Sequence, residues 1–139
     1  MNKEFEQISV KPGFMKHNGG FLFKTIGENE FLFKTIINEK HLNSAGITHG
    51  GFIAAFVDAG SGTAAHRSAN NSPCVTITLE LKFISAVRLG QELVGNTKIQ
   101  KKTKSMVFLT CELTAANKIV ATASGVWKIL KLTDAGSGG

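Results

Sequence analysis

The stretch from His41 to His66, HLNSAGITHGGFIAAFVDAGSGTAAH, constrains the fold of this chain more than any other part. A polar loop carrying Asn43 leads into His49-Gly50-Gly51, and the apolar run that follows contains one acid, Asp58. The spacing of the apolar residues predicts a helix that begins at the two glycines. The first N–H groups of a helix lack intrahelical partners and lie at the positive end of its dipole. The sequence therefore predicts a site for an anion or a developing oxyanion at the start of this helix.

One face of the predicted helix consists of small residues and a single acid. At about 100° per residue, the residues that share this face are Gly51, Ala55, Asp58, Gly62 and Ala65. The larger residues, which we expect in the core, are Phe52, Ile53, Phe56 and Val57. Glycine inside a helix costs about 1 kcal/mol relative to alanine, so Gly60 and Gly62 indicate close packing by another group. One interpretation is that the small face only packs against a sheet or a partner helix. The other is that Asp58 is a functional residue, because carboxylates are seldom buried without a partner.

Length and composition indicate one domain in the cytoplasm. We assign residues 1–132 of the 139 to a single domain and residues 133–139, which contain AGSGG, to a flexible tail typical of a vector-derived extension. The chain has no apolar run of about 18 residues, and its N-terminal segment has acids but no apolar core, so we expect neither a membrane helix nor a signal peptide. Cys74 and Cys111 lack metal-type spacing and are expected to be buried thiols in a reducing compartment.

The formal net charge of +6 favours anionic partners. There is, however, no arginine-rich run and no alternation of basic and aromatic residues, so we expect neither nucleic acid nor a membrane as a partner. The cluster Lys101-Lys102-Thr103-Lys104 is interpreted as the end of a hairpin.

The remaining pattern predicts strands on either side of the helix. The six residues Phe21–Ile26 recur at Phe31–Ile36, ten positions later, around a short polar loop, which predicts a hairpin. Apolar and polar residues alternate from Val75 to Phe83, with Thr76 on the polar face, and three more strands are predicted near 91–101, 105–115 and 119–130. We expect an irregular helix over residues 2–18 and a four-strand meander after the long helix. The prediction is an α+β fold in which a curved six-stranded antiparallel sheet wraps one long central helix.

The loop and helix resemble the signature of the PaaI-like (phenylacetic-acid-degradation type) acyl-CoA thioesterases, which have the hotdog fold. The signature is Asn43-x-x-Gly46-x-x-His49-Gly50-Gly51, with Asp58 nine residues after the histidine. The strand 75–83 and the segment Leu89-Gly90-Gln91-Glu92 are also similar to the family, and the resemblance spans about residues 15–131. It implies hydrolysis of an acyl-CoA to the free acid and coenzyme A, with no cofactor besides the coenzyme A of the substrate.

The resemblance also implies roles for individual residues. Asp58 is the catalytic nucleophile or the general base, and the Gly50 N–H polarises the thioester carbonyl. Asn43 orients substrate or water, Thr76 holds the water, and His49 precedes the catalytic glycine in the motif. The family builds this site across a dimer interface, with Asn43 and Gly50 of one subunit facing Asp58 and Thr76 of the other. We therefore expect at least a homodimer, and a homotetramer arranged as a dimer of dimers.

Several alternatives remain open on the residues alone. His49 is also interpreted as a structural hydrogen-bonding residue of the loop. Trp127 and the phenylalanines are expected in the core, with the lining of an acyl channel as the alternative for some of them. Gly51 is a candidate substrate-binding residue beside Gly50, and Lys82 and Arg88 are candidates for the phosphates of coenzyme A. The spacing of the histidines around Asp58 matches no metal motif, so we expect no metal site. The alternative function is a non-catalytic hotdog module that binds acyl-CoA or an acyl carrier.

Overall fold

A computed structural model describes residues 4–131, so the predicted tail at 133–139 lies outside the described part of the chain. The elements in chain order are β1 (Glu6–Ile8), α1 (Phe14–His17), β2 (Phe21–Gly27), β3 (Glu30–Ile36), a 3₁₀ turn (Glu39–His41), α2 (Gly50–Ser68), β4 (Cys74–Phe83), β5 (Glu92–Lys102), β6 (Met106–Ala115) and β7 (Lys118–Ile129). The fold is the predicted α+β hotdog, in which one antiparallel sheet packs on the long helix α2.

The sheet has seven strands rather than six, in the order β1-β2-β3-β5-β6-β7-β4. The additional strand is β1, which pairs with β2 through Glu6–Ile8. The predicted irregular helix over residues 2–18 was therefore correct only for the short α1. A three-residue strand is too short to produce a visible alternation of apolar and polar residues, which explains why the sequence pattern missed it.

The predicted meander of the last four strands was wrong at its first step. β4 pairs with β7 and not with β5, while β5 pairs with β3. The connection from β4 to β5 passes the loop before α2, where both the backbone N–H and the hydroxyl of Thr48 donate to the Val87 carbonyl, at 2.9 and 2.8 Å. This connection carries the chain from one end of the sheet to a position between β3 and β6, so β4 is a sheet edge.

Two aromatic rings explain the glycines of α2. A Cβ at Gly60 would overlap the ring of Phe33, and so would a Cβ at Gly95 on β5. The Phe33 ring, which is fully buried, therefore lies between a helix and a strand that both lack side chains at the contact. Gly62 is similarly approached by Trp127 of β7, whose Nε1 atom lies 3.3 Å from where a Cβ would stand. The predicted close packing at both glycines is confirmed.

A β-bulge in β4 changes which side chains face α2. Thr76 is paired with Trp127 but Thr78 with Val126, so Ile77 is an extra residue in this strand. The strict alternation predicted for 75–83 therefore fails at this point. The insertion turns Thr76 toward the helix, on the same side as Leu79, whereas alternation placed it on the opposite face. Bulges redirect side chains in this way because they shift the pleat by one residue.

Candidate active site

The start of α2 presents one backbone N–H without an acceptor among the described residues. His49 is the N-cap, and its Nδ1 atom accepts the Gly51 N–H at 2.7 Å. The His49 carbonyl accepts the N–H groups of Phe52 and Ile53, at 3.0 and 3.2 Å. The remaining amide of the first turn is that of Gly50, and no hydrogen bond to it exists within residues 4–131. The cap thus leaves the Gly50 N–H available at the positive end of the helix dipole.

Asn43 shapes the loop beside this amide. Its Oδ1 atom accepts the backbone N–H groups of Ala45 and Ile47, at 2.9 and 3.3 Å. The Nδ2 group makes no hydrogen bond with the described residues and is free to donate to a ligand. Asn43 and Gly50 line one cavity of about 310 Å³ together with Phe83, whose ring lies 3.5 Å from a Cβ built at Gly50. We call Asn43 and Gly50 the amide half-site.

Asp58 lies two turns further along α2 and is paired with Thr76. The Thr76 hydroxyl donates to Asp58 Oδ1 at 2.7 Å. Within residues 4–131, Asp58 Oδ2 has no hydrogen-bond partner, so it is able to accept a proton from water or to attack an electrophile. Asp58 and Thr76 line a second cavity of about 440 Å³. We call these two residues the acid half-site.

The two half-sites of one chain cannot act on the same bond. Asp58 follows Gly50 by eight residues on a continuous helix, which corresponds to about 12 Å along the axis at 1.5 Å per residue. The two half-sites also line separate cavities. A reacting carbonyl bonded to the Gly50 N–H is therefore out of reach of the Asp58 carboxylate in the same chain.

The three candidate substrate-binding residues have different surroundings in the structure. The Gly51 N–H donates to His49, so it is not available to a substrate, and this glycine only leaves room at the helix start because it has no side chain. Lys82 is exposed and forms an ion pair with Glu80 at 3.7 Å on the outer side of the sheet. Arg88 follows Val87 in the segment that contacts the loop before α2, and it has no ion-pair partner among residues 4–131. All three remain predictions as substrate contacts.

The histidines on either side of Asp58 in the sequence have structural partners. His41 is buried, with Nδ1 accepting the Asn38 N–H at 3.1 Å and Nε2 bonded to the Asn18 carbonyl at 2.7 Å. The Nδ1 atom of His66 is bonded to the Ser72 carbonyl at 2.8 Å. In the described part of the chain, no three histidine, cysteine or acidic side chains are grouped as metal ligands.

Both cysteines are free thiols. Cys111 is buried and Cys74 half-buried, and burial raises the pKa of each thiol above its ordinary value. Protonated thiols are poor nucleophiles. The prediction of a buried thiol is confirmed for Cys111 and was wrong for Cys74, which is partly accessible.

Two large side chains that line the cavities were expected from the sequence mainly in apolar packing. Phe83 was assigned to the apolar face of a strand, yet its ring lies against Gly50 and is 58% exposed in the single chain. Trp127 was expected in the core, and its ring is indeed buried, but it also lines the cavity of the acid half-site. The position of Phe83 beside Gly50 was not predictable from the sequence, because it depends on β4 being an edge strand.

The chain belongs to the thioesterase superfamily, whose family model matches residues 45–122, more than half of the chain. This match covers α2, Gly50, Asp58 and Thr76. The chain is 32% identical over 112 residues to PA0474 of Pseudomonas aeruginosa, provisionally named an esterase, covering 80% of this chain and 84% of that protein. It is 26% identical over 122 residues to mouse acyl-coenzyme A thioesterase 13, covering 86% and 87%. Together with the fold, this makes the chain a thioester hydrolase of the hotdog class.

Solved structures share the fold. Thioesterase superfamily member 2 of zebrafish superposes with a TM-score of 0.79 at 22% identity, covering 87% of this chain and 89% of that one. The Streptococcus mutans protein smu.793, solved with acetyl-CoA, gives 0.72 at 20% identity, covering 80% and 89%. The PaaI protein of Escherichia coli gives 0.71 at 17% identity, covering 78% and 80%. No helix within residues 4–131 has the length and apolar character to cross a membrane.

Proposed function

We propose that this chain hydrolyses acyl-CoA thioesters in a site assembled from two copies of the chain. The proposal rests on one observation: the hydrogen-bond donor and the carboxylate that the reaction needs lie apart within one chain. The amide half-site has a hydrogen-bond donor without an acceptor, and the acid half-site has a carboxylate without an electrophile, about 12 Å apart on one helix. In a dimer with a two-fold axis, the amide half-site of each copy lies against the acid half-site of the other copy.

The amide half-site polarises the thioester. The carbonyl oxygen accepts the Gly50 N–H and gains negative charge as its carbon is attacked. Because the donor is fixed by the helix and the His49 cap, it needs no reorganisation during the reaction, and such a donor typically contributes about 3–4 kcal/mol to lowering the barrier. The free Nδ2 group of Asn43 is a second donor on the same side.

The acid half-site supplies the attacking group by one of two routes. In the first, an oxygen of the Asp58 carboxylate of the other subunit attacks the carbonyl carbon, the carbon–sulfur bond breaks, and water then hydrolyses the mixed anhydride. In the second, Asp58 takes a proton from a water that attacks directly. In both, the sulfur leaves as the coenzyme A thiolate and takes up a proton. Thr76 donates to Oδ1, which leaves Oδ2 for the reaction.

An exposed apolar edge supports the second copy. β4 pairs with β7 on one side only. About half of each side chain is accessible for three of its residues, Val75, Ile77 and Phe83, and for Ile84, which follows the strand. A strand edge with this composition pairs with another chain unless it is covered. Since Phe83 lies beside Gly50 and Thr76 contacts Asp58, an interface along β4 brings the half-sites of two copies together.

We retain the remaining expectations as parts of the same proposal. The dimers associate further into a homotetramer, the protein acts in the cytoplasm, and no cofactor besides the coenzyme A of the substrate is needed. Activity that survives dialysis against a chelator tests the last point.

The relatives support coenzyme A as the thiol. Mouse acyl-coenzyme A thioesterase 13 is named for that activity, and smu.793 of Streptococcus mutans was solved with acetyl-CoA. The net charge of +6 of this chain suits a substrate that carries phosphates.

The experiment that tests the function is thiol release from short aliphatic, long aliphatic and aromatic acyl-CoAs. Wild type should release thiol, and Asp58→Asn should lose activity while remaining folded. Gly50→Pro removes the N–H but suits the first position of a helix, and the ψ of 132° at His49 suits a residue before proline. It should lower kcat about 10²–10³-fold. Gly50→Ala keeps the N–H and makes an ordinary contact with Phe83, so it is the matched control.

A non-catalytic acyl-CoA module is the competing outcome. It predicts saturable binding of acyl-CoA without thiol release, with no difference between wild type and Asp58→Asn.

A further inference from the structure

The cavity of the acid half-site extends beyond Asp58 along α2. Asp58, Gly62 and His66 follow one another at intervals of four residues, so they lie on neighbouring turns of one helix face and all line this cavity. Trp127 of β7 forms the wall opposite Gly62. A group bound at Gly62 would lie about 6 Å along the axis from Asp58, and one bound at His66 about 12 Å.

Trp127 directs an unpaired donor into this cavity. The residue is 1% exposed, yet its Nε1–H makes no hydrogen bond with any described residue. Every fully buried side-chain nitrogen or oxygen within residues 4–131 has a partner, so the Nε1 atom must reach the cavity surface. It does so at Gly62, where the missing side chain leaves the nitrogen 3.3 Å from a Cβ position.

The position of the indole is fixed from the other side. A Cβ at Gly125 of β7 would overlap the six-membered ring of Trp127. Two glycines, one on the helix and one on the strand, therefore make room for this ring. A phenylalanine would fill the apolar part of the space without carrying a donor, so packing alone does not account for the N–H at this position.

His66 adds an acceptor at the far end. Its Nδ1 is bonded to the Ser72 carbonyl, which only accepts, so Nδ1 carries the proton. The Nε2 atom of the neutral ring then has a free lone pair. A donor at Trp127 and an acceptor at His66 are the complement of a hydroxyl or amide group.

We infer that Trp127 Nε1–H binds a hydrogen-bond-accepting oxygen of the substrate, one helical turn (about 6 Å along the axis) beyond Asp58, with His66 accepting from the same group where it carries a proton. This assignment rests on the proposed thioester hydrolysis and names the substrate class: thioesters that carry such an oxygen. The oxygen has two sources, a hydroxyl in the distal part of the acyl group or the first amide carbonyl of the pantetheine arm.

The sequence provides a direct probe of the contact. Trp127 is the only tryptophan and the chain has no tyrosine, so the intrinsic emission of the protein comes from this indole. The full-length Asp58→Asn protein is titrated with four thioesters that it should not turn over. The acyl pair is 6-hydroxyhexanoyl-CoA and heptanoyl-CoA. The thiol pair is the heptanoyl thioesters of N-acetylcysteamine and of hexanethiol.

A saturable shift of the emission maximum with 6-hydroxyhexanoyl-CoA but not heptanoyl-CoA assigns the oxygen to the acyl group. A shift with both CoA thioesters and with the N-acetylcysteamine thioester, but not with the hexanethiol thioester, assigns it to the thiol arm. If none of the four thioesters shifts the emission maximum, the N–H contacts only water and the inference is wrong. If all four shift it equally, the indole responds only to being covered by a ligand, and the inference is also wrong.

Kinetics with substrate pairs provide the second readout. Wild type should prefer the oxygen-bearing member of one pair in kcat/KM, and Trp127→Phe should reduce that preference about tenfold. Gly62→Ala, whose Cβ covers the N–H, should do the same. Leu109→Val, which loosens the same apolar cluster but removes no donor, should leave the ratio unchanged. An unchanged ratio in both Trp127→Phe and Gly62→Ala also contradicts the inference.

Failure of the proposed function gives a different result. If no thioester is hydrolysed by wild type but the emission shift distinguishes the pairs, the binding contact stands and the hydrolysis is wrong. If hydrolysis occurs without any discrimination within the pairs, the hydrolysis stands and the contact is wrong.

Discussion

The hydroxyl of Thr76 donates to the carboxylate of Asp58 at 2.7 Å, and a β-bulge at Ile77 is what turns Thr76 toward the helix. The helix supplies the acid and the edge strand supplies the group that orients it. The acid half-site is thus held by two consecutive elements, α2 and β4, which the turn at residues 69–73 connects.

Thr76→Val should lower kcat while leaving the fold intact. Valine keeps the shape of the side chain but removes the donor, and a hydrogen bond to a charged group is worth about 1.5–3 kcal/mol, so a loss of roughly 10–100-fold is expected. Thr76→Ser retains the hydroxyl and should stay close to wild type. Steady-state kinetics with one acyl-CoA, alongside thermal unfolding, measures both. Equal loss in the two variants would show that the methyl group and not the hydroxyl matters.

His49→Ala should reduce both stability and activity, because the imidazole caps the helix that presents the Gly50 N–H. Loss of an N-cap acceptor costs about 0.5–2 kcal/mol of unfolding free energy. His49→Asn supplies another good capping acceptor and should recover most of the stability. Recovery of kcat along with stability would assign His49 to positioning. Stability without kcat would instead indicate direct contact of the imidazole with the substrate.

Gly60→Ala should destabilise the protein although alanine favours helices. The new methyl group overlaps the Phe33 ring, and overpacking of this kind costs up to about 3 kcal/mol, more than the roughly 1 kcal/mol gained in helix propensity. Phe33→Leu should relieve the overlap, so the double variant should be more stable than the sum of the two single changes predicts. Chemical denaturation of the four proteins provides the cycle. Strict additivity would mean that the two positions do not share this contact.

Cys111 should make stability decline at alkaline pH. Burial raises the pKa of this thiol despite the neighbouring hydroxyls of Thr97 and Ser61, which lower it. The thiol of the unfolded chain ionises at its ordinary value near pH 9, before that of the folded chain, so the unfolded state binds fewer protons above this pH. The contribution is fully present below pH 9 and is lost as pH rises toward the folded pKa.

Cys111→Ala removes this term, so its unfolding free energy should fall less steeply than that of wild type as the pH rises above about 9. Denaturant midpoints of both proteins across that range test the difference. Parallel curves would show that the thiol is not protected by burial.

The sequence predicted the parts of the fold that depend on local pattern. The repeated six residues gave the β2–β3 hairpin, and α2 begins at Gly50 as the helix signal indicated. The pairing of β4 with β7 was not predictable in the same way, because strand order depends on contacts between distant residues.

The same limit applies to the site. Asp58 and Gly50 were identified from their motif, but the Asp58–Thr76 contact depends on a bulge that breaks the alternation by which the strand was recognised. Trp127 was expected in the core because it is large and apolar. That its N–H is unpaired and faces Gly62 depends on how β7 packs on α2, which the sequence pattern does not give.

The most direct test of the shared site is to mix two inactive variants, Asp58→Asn and Gly50→Pro. If Asp58 of one subunit acts with Gly50 of the other, a mixed dimer contains one site in which both groups are intact. Co-expression with random assembly should then restore about a quarter of wild-type activity, since half of the dimers are mixed and each has one working site. If both groups act within one chain, every site in the mixture remains broken. Activity no higher than that of the separate variants, in a preparation shown by native mass spectrometry to contain mixed dimers, would contradict the account.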